Sequence, residues 1–348
     1  MAARRLRQAD LAVIFGNLAA MLEAGISLAR SLDALSREGA DPPVAELCAA
    51  LLRSVQRGTP LSTAMNEHSE AFTILHARAV QAGERSGRLP QVLRELARWE
   101  ERDLALMRAV TGSLTYPLTV FVAGVGMVTM VGDRIFATLG PILQASGKPL
   151  PLLTQILCTT SALLKSPLVL VGLVLLIGAG GMGLRAWLQS DDGRYRFDQL
   201  QARLPAFGLL LRKIFVARFC HHLSLLYSSG IPLMSALQTT TGLVSNAWMR
   251  ARVSIAAQRL GDGLTLTESL EETRLFPRLA LGLIGVGEQS GRLDALLSKV
   301  ASQCDEEVYQ TLDTVVQLLE PAVIGAMGVV VALIVLGTLL PLYSVISV

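Results

Sequence analysis

Three long stretches without charge interrupt a chain in which polar and apolar residues are otherwise mixed. They cover residues 109–132, 166–184 and 321–348. A helix needs roughly 17 to 25 residues to cross a hydrocarbon core about 30 Å thick. The pattern therefore predicts three transmembrane helices, at residues 109–136, 166–185 and 321–345.

The distribution of lysine and arginine predicts the orientation, because cytoplasmic segments of membrane proteins are enriched in both residues. Residues 1–108 contain 14 of them, residues 133–165 contain 3 and residues 185–320 contain 14. We therefore expect the N-terminus and two large domains, residues 1–108 and 186–320, to lie in the cytoplasm.

The short loop at residues 137–165 is expected on the opposite side of the membrane. Its uncharged run at residues 149–164 is shorter than a span and begins Pro-Leu-Pro, which favours an interfacial or re-entrant helix. Asp10 and Glu23 interrupt the segment after the basic start, and no small-residue cleavage site follows an apolar run. We therefore expect no cleaved signal peptide.

Inside both cytoplasmic domains the apolar residues recur at helical spacing. Leu11, Phe15, Leu18 and Leu22 are one example, and alternation of period two is absent over any useful length. The predicted fold class is all-α: a polytopic membrane protein with two homologous cytoplasmic bundles of about six helices. A second apolar stripe is predicted at Phe276, Leu279, Leu283 and Val286, and prolines at 42, 60, 232 and 277 suit first helical turns.

The two cytoplasmic domains are copies of one another, displaced by 204 or 205 residues. The sharpest pair is Gly-Glu-x-Ser-Gly-x-Leu, which starts at Gly83 and again at Gly287. The last helix of each copy, after Leu89 or Leu293, is expected to continue toward the membrane, and Pro117 and Pro321 are expected to open the first and third spans. The duplicated positions are the candidate structural or partner-facing residues: Gly25, Gly58, Gly83, Glu84, Ser86, Gly87, Leu89, Gly230, Gly263, Gly287, Glu288, Ser290, Gly291 and Leu293.

Three interpretations of the Gly-Glu-x-Ser-Gly-x-Leu motif stay open. The glycine permits a positive φ and the serine can bond local backbone, which favours a tight turn between two helices. The turn could also carry a surface for a partner. Catalysis by the carboxylate and hydroxyl is disfavoured, and the motif lacks the Gly-Lys-Ser/Thr ending of a nucleotide loop.

The composition and the positions of the cysteines and histidines predict no nucleic-acid binding and no catalytic or metal site. The net charge of +3 gives no reason to expect nucleic acid, and the four separate cysteines suit reduced, buried thiols. We predict no catalytic, cofactor-binding or metal-binding residues, and we expect the four histidines to be surface or satisfied core residues. Charged runs at 98–103 and 305–307 are interpreted as solvated helix faces or docking surfaces.

The duplicated motifs, each followed by a membrane helix, resemble the inner-membrane platform family of type II secretion and type IV pilus machines. The resemblance implies a non-enzymatic protein of the bacterial inner membrane that couples a hexameric assembly ATPase to pilin or pseudopilin polymerisation. It also implies contacts with other inner-membrane assembly proteins and with lipid, and a homo-oligomer. Many family members carry an extra segment before the first copy, so the short start here favours a compact pilus-type subgroup.

A small-solute transporter or channel with duplicated domains is the alternative, because duplication is common among transporters. The predicted spans contain no charged residue that could serve a substrate or ion pathway, which weighs against it. A membrane-bound signalling enzyme would need a nucleotide or catalytic motif.

Overall fold

The computed structural model describes residues 8–38, 41–145, 187–204 and 207–346, together with residue 185. Every regular element in these ranges is a helix, so the all-α prediction is confirmed for this part of the chain. The first copy contains α1 (Gln8–Glu23), α2 (Leu28–Glu38), α3 (Pro42–Gln56), α4 (Leu61–Glu67), α5 (Ile74–Ser86) and α6 (Leu89–Ala145).

The second copy repeats this order after one additional helix. It contains α7 (Asp191–Arg203), α8 (Phe207–Ser228), α9 (Leu233–Leu243), α10 (Ala247–Gly261), α11 (Leu266–Glu271), α12 (Arg278–Ser290) and α13 (Leu293–Ile346). Helices α8 to α13 correspond in order to α1 to α6, and α7 precedes the repeated set. The short helix is one residue shorter in the second copy, 6 residues against 7, which accounts for the change of displacement from 205 to 204.

The chain divides into two compact units, and the first unit contains α1 to α5, α8 to α12 and the beginning of α6 and α13. This unit comprises Met1–Ala109 and Tyr195–Thr311, and the second unit comprises Val110–Arg194 and Leu312–Val348. Within the first unit, buried side chains of both copies form a single hydrophobic cluster. The predicted domain boundaries at 108, 186 and 320 remain predictions.

Helix α1 packs with the face that its sequence pattern predicts. Leu11, Phe15 and Leu18 are buried, and Leu22 is partly buried against the same core. Ile14 joins them, so the apolar stripe is wide enough for a helix that is covered by several neighbours.

The predicted stripe on α12 is wrong in its register. Phe276 is buried but precedes the helix, which begins at Arg278, whereas Leu279 and Val286 are exposed. The buried residues of α12 are Ala280, Ile284 and Gly287. The prediction counted the stripe from Phe276, which lies before the helix. The buried face of α12 is displaced by one residue from that stripe.

The predicted prolines mark helix starts, but most lie one residue earlier than expected. Pro42 is the first residue of α3, whereas Pro60, Pro232 and Pro277 directly precede α4, α9 and α12. Pro117 and Pro321, which are expected to open the first and third spans, lie inside α6 and α13, so no helix begins at either residue. Their place as the entries of the spans remains a prediction. Both long helices begin far upstream, at the Gly-Glu-x-Ser-Gly-x-Leu turns.

The three predicted spans are not confirmed. Across the described ranges, no helix carries an apolar segment long enough to span a bilayer. The span at 166–184 and the run at 149–164 lie outside the described residues.

Candidate functional site

The two Gly-Glu-x-Ser-Gly-x-Leu motifs form the same tight turn between two helices. Gly87 ends α5 with φ 69° and Gly291 ends α12 with φ 68°, a left-handed conformation that glycine adopts without strain. The hydroxyl of Ser86 donates to the carbonyl of Ala82 at 2.8 Å, so it satisfies its own helix end. Leu89 and Leu293 begin the next helices, α6 and α13.

The glutamate of the first motif holds the start of the short helix α4. Oε1 of Glu84 accepts a hydrogen bond from the backbone N–H of Leu61 at 2.6 Å. Its Oε2 accepts from the hydroxyl of Ser62 at 2.6 Å and from the N–H of that residue at 3.4 Å. The first N–H groups of a helix have no partner within the helix, and a carboxylate also suits the positive end of the helix dipole.

The second copy repeats this contact. Oε1 of Glu288 accepts from the N–H of Leu266 at 2.6 Å, and Oε2 accepts from the N–H and hydroxyl of Thr267 at 3.1 and 2.9 Å. Both carboxylates are therefore occupied as helix caps that join the motif to a helix more than 20 residues earlier. This arrangement supports the turn interpretation of the motif and leaves no free carboxylate for acid or base chemistry.

Gly83 and Gly287 allow the helix after each turn to approach closely. A Cβ on Gly83 would lie 3.1 Å from Cγ2 of Val92 and 3.2 Å from Cα of Leu89. A Cβ on Gly287 would lie 3.1 Å from Cα of Leu293. The other predicted glycines, at 25, 58, 230 and 263, all have φ between 82° and 99° and follow helix ends.

Replacing Glu84 with alanine should lower the free energy of unfolding by about 2 kcal/mol, because the buried N–H of Leu61 would lose its charged acceptor. Urea titration of the full chain followed by circular dichroism would measure the change. Glu67→Ala, at an exposed glutamate of α4, is the matched control and should change the stability by less than about 0.5 kcal/mol. Equal effects of the two substitutions would contradict the capping role.

The second candidate site is the contact between the two copies, where α5 packs against α8 and α9. Nε of Arg218 on α8 lies 2.6 Å from Oδ1 of Asp103 on α6, and Gln8 donates to Oδ2 of the same carboxylate at 3.1 Å. A cavity of about 410 Å³ lies beside this pair and is lined by residues of both copies, among them Trp99 and Phe215. The lining is mostly apolar, with the ion pair as its charged part.

A buried histidine and glutamate lie next to this contact. His76 and Glu100 are only 1% and 2% exposed, and Nε2 of His76 lies 2.8 Å from Oε1 of Glu100. Nδ1 of His76 accepts from the backbone N–H of Thr73 at 3.2 Å. Nε2 of His76 and Oε2 of Glu100 have no hydrogen-bond partner among the described residues, so the two side chains form a close buried pair without a well-aligned hydrogen bond.

His222 completes the aromatic part of the contact. Its ring centroid lies 4.9 Å from that of Trp99, and its Nε2 has no hydrogen-bond partner among the described residues. Burial, with smaller contributions from the charges of Arg218, His221 and His76, lowers the pKa of His222 to about 3. The ring is therefore neutral at physiological pH.

The expectation that the charged run at 98–103 is a solvated face is wrong for two of its three carboxylates. Glu100 and Asp103 are buried because His76 and Arg218, from other helices, face them. In the second copy, Asp305 lies 3.0 Å from His221 and Glu307 lies 3.0 Å from Lys213. Only contacts between helices distant in sequence reveal these pairs, so no local pattern could have found them.

The described residues contain no group of three histidine, cysteine or acidic side chains that could hold a metal ion. Cys48, Cys220 and Cys304 are free and buried, and burial raises the pKa of the Cys48 and Cys304 thiols to about 11. Cys158 lies outside the described residues.

The same family pattern, described as "Type II secretion system (T2SS), protein F", matches the sequence twice, at residues 14–132 and 219–341. The chain belongs to this family. The chain is also 35% identical to "Type IV pilus assembly protein PilC" of Thermus thermophilus, over 97% of this chain and 83% of the relative. It is 33% identical to "Type II secretion system protein F" of Pseudomonas aeruginosa, over 98% of this chain and 84% of the relative. These matches confirm the resemblance that the duplicated motifs indicated.

Proposed function

We propose that the chain is a non-enzymatic inner-membrane platform protein of a type II secretion or type IV pilus machine. The observation that carries the proposal is the family match at both copies, together with the same cap and turn in each. The occupied carboxylates of the two motifs support a structural rather than a chemical role. Family membership favours this function over the transporter alternative.

In this proposal the membrane anchors are the uncharged segments at 109–136, 166–185 and 321–345, and the two copies lie in the cytoplasm. Support comes from the length of these segments and from the lysine and arginine distribution. The partners are a hexameric assembly ATPase, pilin or pseudopilin subunits, other inner-membrane assembly proteins and a second copy of the chain. The names of the relatives include both machines, so the cargo is a pilus or a secreted protein.

The proposed mechanism transmits movement of the ATPase through the copies into the membrane helices. Its support is that both long helices are continuous where a predicted span begins. Arg108 lies inside α6, and Glu320 lies inside α13. A force applied at the turn end of either helix would be carried by a hydrogen-bonded backbone through these positions.

Insertion of a Gly-Pro pair after Arg108 or after Glu320 tests this mechanism, because both residues break helices. We expect loss of pilus assembly or protein secretion, measured by electron microscopy of surface pili and by assay of secreted protein. Membrane insertion and co-purification of the ATPase with the full chain should persist. The same insertion after Ser69, in the exposed turn between α4 and α5, is the control and should leave assembly intact. Unchanged assembly in the first two variants would refute the mechanism.

A further inference from the structure

One face of α12 carries large apolar side chains that nothing in the described chain covers. Leu279 is 59% exposed and Val286 is 57% exposed. The equivalent residues of the first copy are Leu75 and Ala82 on α5. Leu75 is buried and lines the cavity between the copies, and Ala82 lines a second groove there, opposite Ser229 and Ile231. The second copy therefore exposes the face that the first copy uses to contact its neighbour.

The complementary face is exposed on the first copy. In the second copy, the surface that receives α5 is made by α8 and α9 and includes Arg218 and Ile231. The equivalent residues of the first copy are Val13 on α1 and Ile26 in the following turn. Val13 is 59% exposed and Ile26 is 41% exposed, so a receiving surface of the same kind is present without an occupant among the described residues.

The contact between the copies is heterologous, since α5 of the first copy packs against α8 and α9 of the second copy. Among the described residues, α12 makes no comparable contact with α1 or α2. A heterologous contact leaves one unused face at each end and can be repeated by further subunits. We propose that α12 of one chain packs on α1 and the α1–α2 turn of a second copy of the chain. The contact between chains thus repeats the contact within each chain.

Charge differences between the copies suit this association. Arg78 and Arg85 of α5 correspond to Gly282 and Gln289 of α12, and Arg218 corresponds to Val13. In the other direction, Ile74 corresponds to Arg278 and Ser235 corresponds to Arg30. Three arginines of the contact inside the chain are therefore absent from the unused faces, and two others are added. Burying apolar area is the main source of affinity in such contacts.

The carboxylate equivalent to Asp103 already has a partner in the second copy. Asp103 of the first copy is paired with Arg218 across the contact within the chain. Its equivalent, Glu307, already lies 3.0 Å from Lys213 of its own copy. The absence of an arginine at position 13 of the receiving face therefore leaves Glu307 with its partner.

Complementation between two surface variants tests the proposal. The first variant is Leu279→Asp with Val286→Asp, and the second is Val13→Asp with Ile26→Asp. Light scattering of the full chain in detergent micelles should give more than one chain for the parent protein and a single chain for each variant alone. An equimolar mixture should give a two-chain species, because one variant retains the receiving face and the other retains the α12 face.

The control is Ile255→Asp, at an exposed apolar residue of α10 (52% exposed), which should keep the parent mass. A parent protein that is a single chain, a variant that keeps the parent mass, or a mixture that stays at one chain would each overturn the proposal. The result is independent of the platform function, because mass alone is measured.

Cross-linking keeps the test decisive if an aspartate variant does not fold. Differently tagged chains carrying Ile26→Cys or Val286→Cys should join through a short bismaleimide when they are mixed. When a chain carrying Ile255→Cys is used in place of either variant, no cross-linked product should form. Absence of the mixed product would count against the contact as strongly as a failed complementation.

Discussion

Replacing Glu100 with alanine is expected to lower the free energy of unfolding by about 3 kcal/mol, the usual loss when one member of a buried polar pair is removed. The carboxylate is 2% exposed and lies 2.8 Å from Nε2 of His76, which is itself 1% exposed. Without it, the buried imidazole of His76 would lose the carboxylate that faces its Nε2. Urea titration of the full chain, followed by circular dichroism, measures the loss.

Glu101→Ala is the matched control, because Glu101 is the next residue of the same helix and is exposed. We expect a change of less than about 0.5 kcal/mol for it. Similar losses in the two variants would mean that the His76–Glu100 pair does not stabilise the fold.

Acid should destabilise the chain through His222. The pKa of His222 is lowered from 6.5 to about 3 in the folded chain, so the unfolded chain binds more protons between these values. Stability is therefore fully present above pH 6.5 and falls as the pH drops, at about 1.4 kcal/mol per pH unit for one proton. Between pH 6.5 and 4.5 this amounts to about 2–3 kcal/mol.

The substitution His222→Asn isolates this contribution, because asparagine occupies the equivalent position, Asn17, in the first copy. Unfolding measured at several pH values should show a shallower loss in the variant over that range. Other titrating groups are the same in both proteins, so the difference between the slopes belongs to His222. Identical slopes would show that His222 is protonated without cost.

Local features of the fold could be predicted from the sequence, because helix periodicity and turn residues act over a few positions. The face of α1 and the positive φ of Gly87 and Gly291 are examples. The error on α12 has the same origin: Phe276 precedes the helix, and periodicity does not tell where a helix begins within a residue or two.

Features that depend on distant contacts could not be predicted. The motif glutamate was identified as part of a turn, but its partner is the start of a helix 22 or 23 residues earlier. Glu100 and Asp103 look like surface charges in a run of polar residues, and only the approach of His76 and Arg218 makes them buried groups. The internal repeat identified the motif residues in the sequence, but it did not reveal which residues they contact.

The single hydrophobic cluster shared by both copies has a consequence for how the first unit melts. The buried residues of both copies belong to one connected cluster, so the loss of one copy would expose apolar surface on the other. The two copies should therefore unfold in one cooperative transition. A destabilising substitution in either copy would lower the stability of the whole first unit. A protein with only one copy would need another surface to cover the apolar side chains that the second copy covers here.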